Sequence, residues 1–347
     1  MHDRANCLIS LMASAEHLEQ VDWLTAAVGR ARYKQFYACS PASTAAAEAF
    51  VPKPTDCFVA TYSKTGTTVL QMLLEMLRSR GDTSFDEITA VQPWVDFCHD
   101  IGVDVDAPHL HHPRLFKSHQ RPAALNRGAR IASIVREPRD VVKSYYSFYV
   151  QKDHPLVRGK SLDEWAREWA DVGTSNGTLW EYYVQLYQCR CALGAVDSRA
   201  AASSAPLMLL EYSALASDLP SHARRCAEWL QGGGGGGGET VDTSTENIAR
   251  AARLASRDAM AAMVDQFDDH YLSEKQRAAG CETVMQGAAK VVKAGATRPQ
   301  LSKETEALLE RAWQERVTPH TGLASYADLA AKLTDDHALW RDVAGGD

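Results

Sequence analysis

Residues 56–80 read DCFVATYSKTGTTVLQMLLEMLRSR, and a change of rhythm inside them decides the fold. From Asp56 to Tyr62 the chain is short, apolar and β-branched or aromatic, as in a strand buried on both faces. From 68 to 80 the apolar residues recur at three and four, the period of an amphipathic helix. Ser63-Lys64-Thr65-Gly66-Thr67-Thr68 joins the two. A strand, a turn with glycine and a helix start aim several backbone N–H groups and the positive end of a helix dipole at one point, with hydroxyls and a lysine added. Such a loop is an anion cradle; taken alone it is also compatible with a capped helix start and an incidental lysine. Its spacing is not the nucleotide-kinase GxxxxGK[ST], because Lys64 precedes the glycine and no glycine lies upstream. Magnesium-dependent phosphoryl transfer is therefore disfavoured.

Outward from this segment, three more β-rich runs occur at Arg114–Lys117, Arg130–Val135 and Pro206–Glu211. Helical patterns cover 68–80, 138–151, 161–171, 176–193, 218–230, 246–267 in one or two pieces, and 302–316. Strands separated by helices must pair in parallel, since a parallel connection needs a crossover. The predicted fold class is α/β: three layers, a mostly parallel central sheet flanked by helices, with the phosphate-binding loop after the first strand. In such sheets ligands gather at the carboxyl ends of the strands, just after Tyr62, Lys117 and Val135.

The whole chain fits that frame. Its 347 residues are 45% apolar and 23% charged, the balance of a folded globular protein. With 37 basic and 44 acidic residues the net charge is −7, so no global field draws it to nucleic acid or an anionic membrane, and any anion needs a local site. No apolar run approaches a membrane span and the N-terminus does not read as a signal peptide. The eight cysteines are scattered, several within apolar runs, which suggests a reducing, cytoplasmic setting. Residues 1–50 read as an N-terminal extension packed on the core, closed by Pro52 and Pro54, and 51–347 as the main domain. Within it Gly232–Gly238 has no side chains to pack and reads as a flexible loop. The run His109-Leu110-His111-His112 lacks a carboxylate or cysteine at ligand spacing, so no metal site is expected.

The other strand ends also carry chemistry. Lys117-Ser118-His119 places a lysine and a histidine two residues apart where the second strand leaves the sheet, and a histidine there can serve as general base near neutral pH. After the third strand, Arg136-Glu137-Pro138 opens a helix on which Ser144 follows about two turns in; an arginine fork with a hydroxyl suits a phosphate. Each piece alone is as readily a solvated loop or an ordinary helix start.

Together, TYSKTGTTV, KSH and REPRDVVKSYY, in this order, resemble the soluble sulfotransferases that use 3′-phosphoadenosine 5′-phosphosulfate (PAPS). The resemblance runs from about Asp56 to Leu329, where GLASYADL is similar to the family's closing segment. It implies transfer of a sulfuryl group to a hydroxyl or amine of a small molecule, with the adenosine 3′,5′-bisphosphate PAP as product and no metal. By the same likeness Lys64 would bond the oxygen bridging phosphate and sulfate, and Thr65, Gly66, Thr67 and Thr68 would hold the 5′-phosphate. Arg136 and Ser144 would hold the 3′-phosphate, with Ser144 counted also among the catalytic residues. His119 would take the acceptor's proton, Lys117 would assist charge on the sulfuryl group, and Tyr212 would contact adenine. Lys293 and Gly295 are the nearest counterparts of a basic loop that closes on the 3′-phosphate. Trp94 and Phe97, in QPWVDF, would line the acceptor pocket or else pack in the core. The chain departs from the family at Ser63, Val69 and Lys293-Ala294-Gly295, where relatives usually carry proline, an adenine-stacking tryptophan and Arg-Lys-Gly. The alternatives are a nucleotide kinase with an unusual loop, or a relative that binds adenosine bisphosphate without turnover.

Overall fold

The computed structural model describes residues 40–121, 125, 129–174, 177–192, 206–232, 241–278 and 299–344. The expected β-rich runs become β1 (Cys57–Ala60), β2 (Leu115–Ser118), β3 (Arg130–Val135) and β4 (Leu207–Glu211). All three pairings are parallel and the spatial order is β2-β1-β3-β4. Side chains alternate between faces, so each strand feeds two cores. Cys57, Val59, Ala132, Ile134, Met208 and Leu210 face one layer, whereas Phe58, Ala60, Phe116, Ile131, Val135 and Leu209 face the other. Burial on both faces is why these strands read as continuous apolar runs.

The principal helices are α1 (Pro41–Ala49), α2 (Thr67–Arg78), α3 (Pro138–Gln151), α4 (Leu162–Val172), α5 (Leu179–Ala192), α6 (Leu219–Gly232), α7 (Thr245–Leu254), α8 (His270–Ala278), α9 (Lys303–Arg316) and α10 (Tyr326–Ala344). Leu70, Leu73, Leu74 and Leu77 of α2 lie on one face of the sheet with Ala223 and Ala227 of α6 and Ile248 and Ala251 of α7. On the other, Tyr145 and Tyr149 of α3, Trp165 and Trp169 of α4, Tyr183 of α5, Trp313 of α9 and Leu329 of α10 form the larger, aromatic core. The helices start where capping chemistry allows. Pro138 is the first residue of α3, and α4 opens with a capping box in which Ser161 accepts from Glu164 N–H while the Glu164 carboxylate accepts from Ser161.

Of these principal helices, α1, α8 and α10 lie outside the set predicted from periodicity. The Ala-rich segment 41–49 is helical because Ser40 caps it and Pro41 suits its first turn. It packs on the core. Asp100 accepts from Ser40 N–H at 2.9 Å, Ser43 Oγ accepts from Asp100 N–H at 3.0 Å, and the Phe50 ring lies 5.2 Å from Phe116. Residues 1–39 of the expected extension, and the glycine run beyond Gly232, lie outside the described residues. The amino ends of β1 and β2 are held in register by a buried fork, Arg114 Nε and Nη2 donating to the two oxygens of Asp56 at 2.9 and 2.6 Å.

Candidate active site

The connection after β1 runs to β2 on one side and the connection after β3 runs to β4 on the other, so the two diverge between the adjacent carboxyl ends of β1 and β3. That point is the topological switch of an open α/β sheet, the place where a crevice opens. The loop after β1, the end of β2 and the start of α3 after β3 all meet there.

The loop is built for close approach. Lys64 takes a left-handed conformation, φ 72°, and Gly66 sits at φ 132°. A Cβ on Gly66 would lie 2.7 Å from the Tyr212 ring, so this position excludes any larger residue. Gly66 offers α2 no side-chain cap, and the first N–H groups of any helix have no intrahelical partner. The threonines divide. The Thr65 hydroxyl donates to the Tyr62 carbonyl at 2.7 Å, and Thr67 Oγ1 lies 2.6 Å from Thr61 Oγ1, tying the start of α2 to the end of β1. The buried Thr65 hydroxyl thus braces the turn, whereas the Thr68 side chain, at the start of α2, is half-buried.

Arg136 crosses from β3 to this loop. Its Nη1 donates to the Lys64 carbonyl at 3.3 Å, and its guanidinium lies 4.3 Å from the centre of the Tyr212 ring. Its Nε is buried and has no hydrogen-bond partner among the described residues. A buried, unsatisfied guanidinium nitrogen close to an uncapped helix start fits an anionic ligand. Tyr183 of α5 fixes the Arg136 backbone, its hydroxyl accepting from Arg136 N–H at 2.8 Å and donating to the Arg136 carbonyl. Burial pushes the Tyr183 phenol far above its ordinary pKa, so the proton needed for that bond stays. Ser144 is half-buried on α3, and no hydrogen bond links it to Arg136 among the described residues.

At the end of β2, His119 Nδ1 lies 2.9 Å from the Thr61 carbonyl. A carbonyl only accepts, so Nδ1 donates this bond, and the neutral tautomer that can do so carries its lone pair on Nε2. Lys117, buried in the strand, sets its ammonium 3.3 Å over the Trp94 ring, and the Lys64 ammonium lies 3.9 Å over Phe148 of α3. Trp94 meets the His119 ring edge to face at 5.2 Å and Phe97 at 4.5 Å. Trp94 and Phe97 are thus both buried in the aromatic core and beside the site. The sequence motifs do not point to Asp96 or Tyr183. Asp96 had a signal, an acid between two aromatics in WVDF, whereas Tyr183 is one tyrosine among several on its helix.

Tyr212, at the end of β4, stands against Gly66 and under Arg136 as described. Lys293 and Gly295 lie outside the described residues. The 109–112 loop is tied to α2 and β2. Arg78 donates to the carbonyls of His111 and Pro113 at 3.2 and 2.8 Å, and His109 packs on Phe116. Burial, with Arg78 and Arg114 nearby, pulls the His109 imidazole down to about 3. Elsewhere, Glu87, Asp268 and His270 bring ligand-type atoms within 4.8 Å, but both His270 nitrogens already bond carboxylates, Asp268 at 2.7 Å and Asp86 at 3.1 Å.

Residues 54–242 match the family model described as Sulfotransferase domain. Among curated proteins, Sulfotransferase 4A1 of Homo sapiens is 26% identical over 191 residues, 52% of this chain and 61% of its own length. Sulfotransferase 2A1 of Homo sapiens is 31% identical over 134 residues, 36% of this chain and 45% of its own. The match covers 61% of the length of Sulfotransferase 4A1 and less than half of Sulfotransferase 2A1. Among solved structures, mouse sulfotransferase SULT7A1 complexed with PAP has a TM-score of 0.58 at 13% identity, covering 86% of this chain and 93% of that one. Retinol dehydratase in complex with androsterone and inactive cofactor PAP has 0.54 at 15%, covering 81% and 83%. At these identities the structures speak for the fold. No helix among the described residues is long and apolar enough to cross a membrane.

Proposed function

The chain belongs to the sulfotransferase domain family, and from that premise we propose that it transfers a sulfuryl group from PAPS to a hydroxyl or amine of a small molecule. The observation that carries this reading is the meeting of an orphaned Arg136 Nε and a bare helix start with a histidine whose Nδ1 is held on Thr61. One set holds two phosphates; the other presents a base beside them.

In this reading Gly66, Thr67 and Thr68 N–H hold the 5′-phosphate, and Arg136 with Ser144 holds the 3′-phosphate. Tyr212, under the Arg136 guanidinium, borders the adenine. The donor supplies the sulfuryl group and leaves as PAP. The acceptor oxygen forms its bond to sulfur as the bond from sulfur to the bridging phosphate oxygen breaks, and the acceptor's proton passes to His119 Nε2. Lys64 meets the charge that develops on the bridging oxygen, and Lys117 the charge on the sulfuryl oxygens; both are positioned cations, the usual means of stabilising such a transfer. Trp94 and Phe97 bound the acceptor side. Fixed lysines and backbone donors supply this stabilisation, so chelation by EDTA is expected to leave turnover unchanged.

The test is transfer of label from ³⁵S-PAPS to a panel of phenols, alcohols and amines by the wild type and His119→Ala. Loss of the base is expected to cut turnover by roughly a hundredfold or more while PAP affinity stays within a few-fold. Near-wild-type turnover by His119→Ala, or activity lost in EDTA and restored by magnesium, would overturn the mechanism.

A further inference from the structure

We propose that Asp96 is a positioning residue of the transfer reaction: its carboxylate fixes both the strand end that carries His119 and the indole on which Lys117 rests, so that it governs turnover and not nucleotide affinity. The inference rests on the roles given to Lys117 and His119 above.

Asp96 lies in the single 3₁₀ turn Val95–Phe97, and the segment before it docks beside the end of β2. Lys117 N–H donates to the Pro93 carbonyl at 2.9 Å, and Trp94 and Lys117 form a parallel bridge. From there the carboxylate gathers three donors. Oδ2 accepts from the Trp94 indole Nε1–H at 2.9 Å and from the His119 backbone N–H at 2.8 Å; Oδ1 accepts from the Ser118 hydroxyl at 2.8 Å. A carboxylate that only closed its own turn would take the N–H groups of that turn. Two of these donors instead belong to the β2 end, 22 and 23 residues away in sequence.

Those bonds reach the reacting groups in two ways. The bond to His119 N–H sets the backbone from which the imidazole reaches the Thr61 carbonyl, and hence the direction of Nε2. The bond to the indole fixes the Trp94 ring plane, which lies 3.3 Å beneath the Lys117 ammonium and meets the His119 ring at 89°. Base and cation are therefore oriented by one carboxylate, through the His119 backbone and the Trp94 indole. Misplacing a catalytic group by about 1 Å can cost a hundredfold in rate without altering remote binding.

The experiment compares wild type, Asp96→Asn, Trp94→Phe, the double variant and His119→Ala. Label from ³⁵S-PAPS is followed onto 4-nitrophenol, 2-phenylethanol or 2-phenylethylamine, whichever reacts fastest, and PAP affinity is measured separately by calorimetry. Asparagine keeps the shape of the side chain but replaces one acceptor oxygen with a donor. For Asp96→Asn the expected result is a kcat lower by roughly tenfold to a hundredfold with PAP affinity within twofold. Trp94→Phe keeps a ring and loses the indole N–H; it should lower kcat by itself and add less in the Asp96→Asn background, because the two share one interaction. Should Asp96→Asn fail to fold, Trp94→Phe carries the same split between kcat and PAP affinity. Wild-type kcat in Asp96→Asn beside an inactive His119→Ala overturns the inference alone. So does a parallel loss of kcat and PAP affinity, the mark of general structural damage. Full activity in His119→Ala, or no transfer by the wild type to any of the three acceptors, overturns the reading on which it rests.

Discussion

At the scale of single residues, the loop after β1 is held in a conformation that most sequences avoid. Lys64 is a non-glycine residue at positive φ, and its carbonyl is the one that Arg136 Nη1 bonds. Backbone strain of this kind costs about 1–3 kcal/mol and persists where neighbours over-determine it. Gly66→Ala would add a Cβ that meets the Tyr212 ring at 2.7 Å and Ile134 at 3.1 Å, at a φ that alanine disfavours. The expected outcome is a loss of about 2 kcal/mol or more in unfolding free energy and of PAP binding, read by urea denaturation and calorimetry. A stable Gly66→Ala protein with intact PAP binding would show that the loop opens readily. Lys64, His119 and Arg136 were legible in sequence because each directly follows a recognisable strand, and strand ends converge in any parallel sheet. Asp96 and Tyr183 were not legible as site residues. Their partners lie 23 and 47 residues away, a relation that local spacing does not carry.

Among the elements, α8 is joined to the turn before residue 88 by a charged clasp. His270 faces Asp86, Glu87 and Asp268, and the Tyr271 hydroxyl also donates to Asp86 at 3.1 Å. Burial alone would lower the His270 pKa, but the hydrogen bonds to Asp268 and Asp86 and the charge of Glu87 outweigh it and hold the imidazole at about 8. An unfolded histidine titrates near 6.5. The folded state therefore binds the proton more tightly. The resulting stability is fully present below about 6.5 and is lost as pH rises through about 8. Unfolding free energy should fall by about 1–2 kcal/mol between pH 6.5 and 9, and His270→Gln should flatten that slope. An equal slope in both proteins would remove His270 from the account. Periodicity foresaw α2, α3, α4, α5, α6, α7 and α9, whose apolar residues enter the two main cores. It missed α8, which is mostly polar and held by this clasp, and α1, where alanine gives propensity without a stripe.

For the whole molecule, the parallel sheet was legible and its order was not, since strand order depends on which way each crossover turns. The order β2-β1-β3-β4 sets β3 beside β1, and that is what brings Arg136 Nη1 to the Lys64 carbonyl. The far end of the chain is tied into that frame. Tyr326, at the start of α10, donates to Glu211 Oε1 at 2.6 Å, while Glu211 Oε2 accepts from Ala214 N–H at 2.7 Å just beyond Tyr212. Tyr326→Phe leaves the buried Glu211 with one donor fewer and should lower unfolding free energy by about 1–2 kcal/mol, read by urea denaturation. No change would mean that Glu211 is satisfied without α10. The central claim is that this crevice holds an adenosine nucleotide by two separate phosphates, and it is met most directly by calorimetric titration of PAP, ADP and ATP into the wild type and Arg136→Ala. PAP should bind the wild type at least tenfold more tightly than ADP or ATP, a gap of about 1.4 kcal/mol or more, and Arg136→Ala should erase most of that preference. ATP binding as tightly as PAP, or a preference for PAP that survives in Arg136→Ala, would contradict the account.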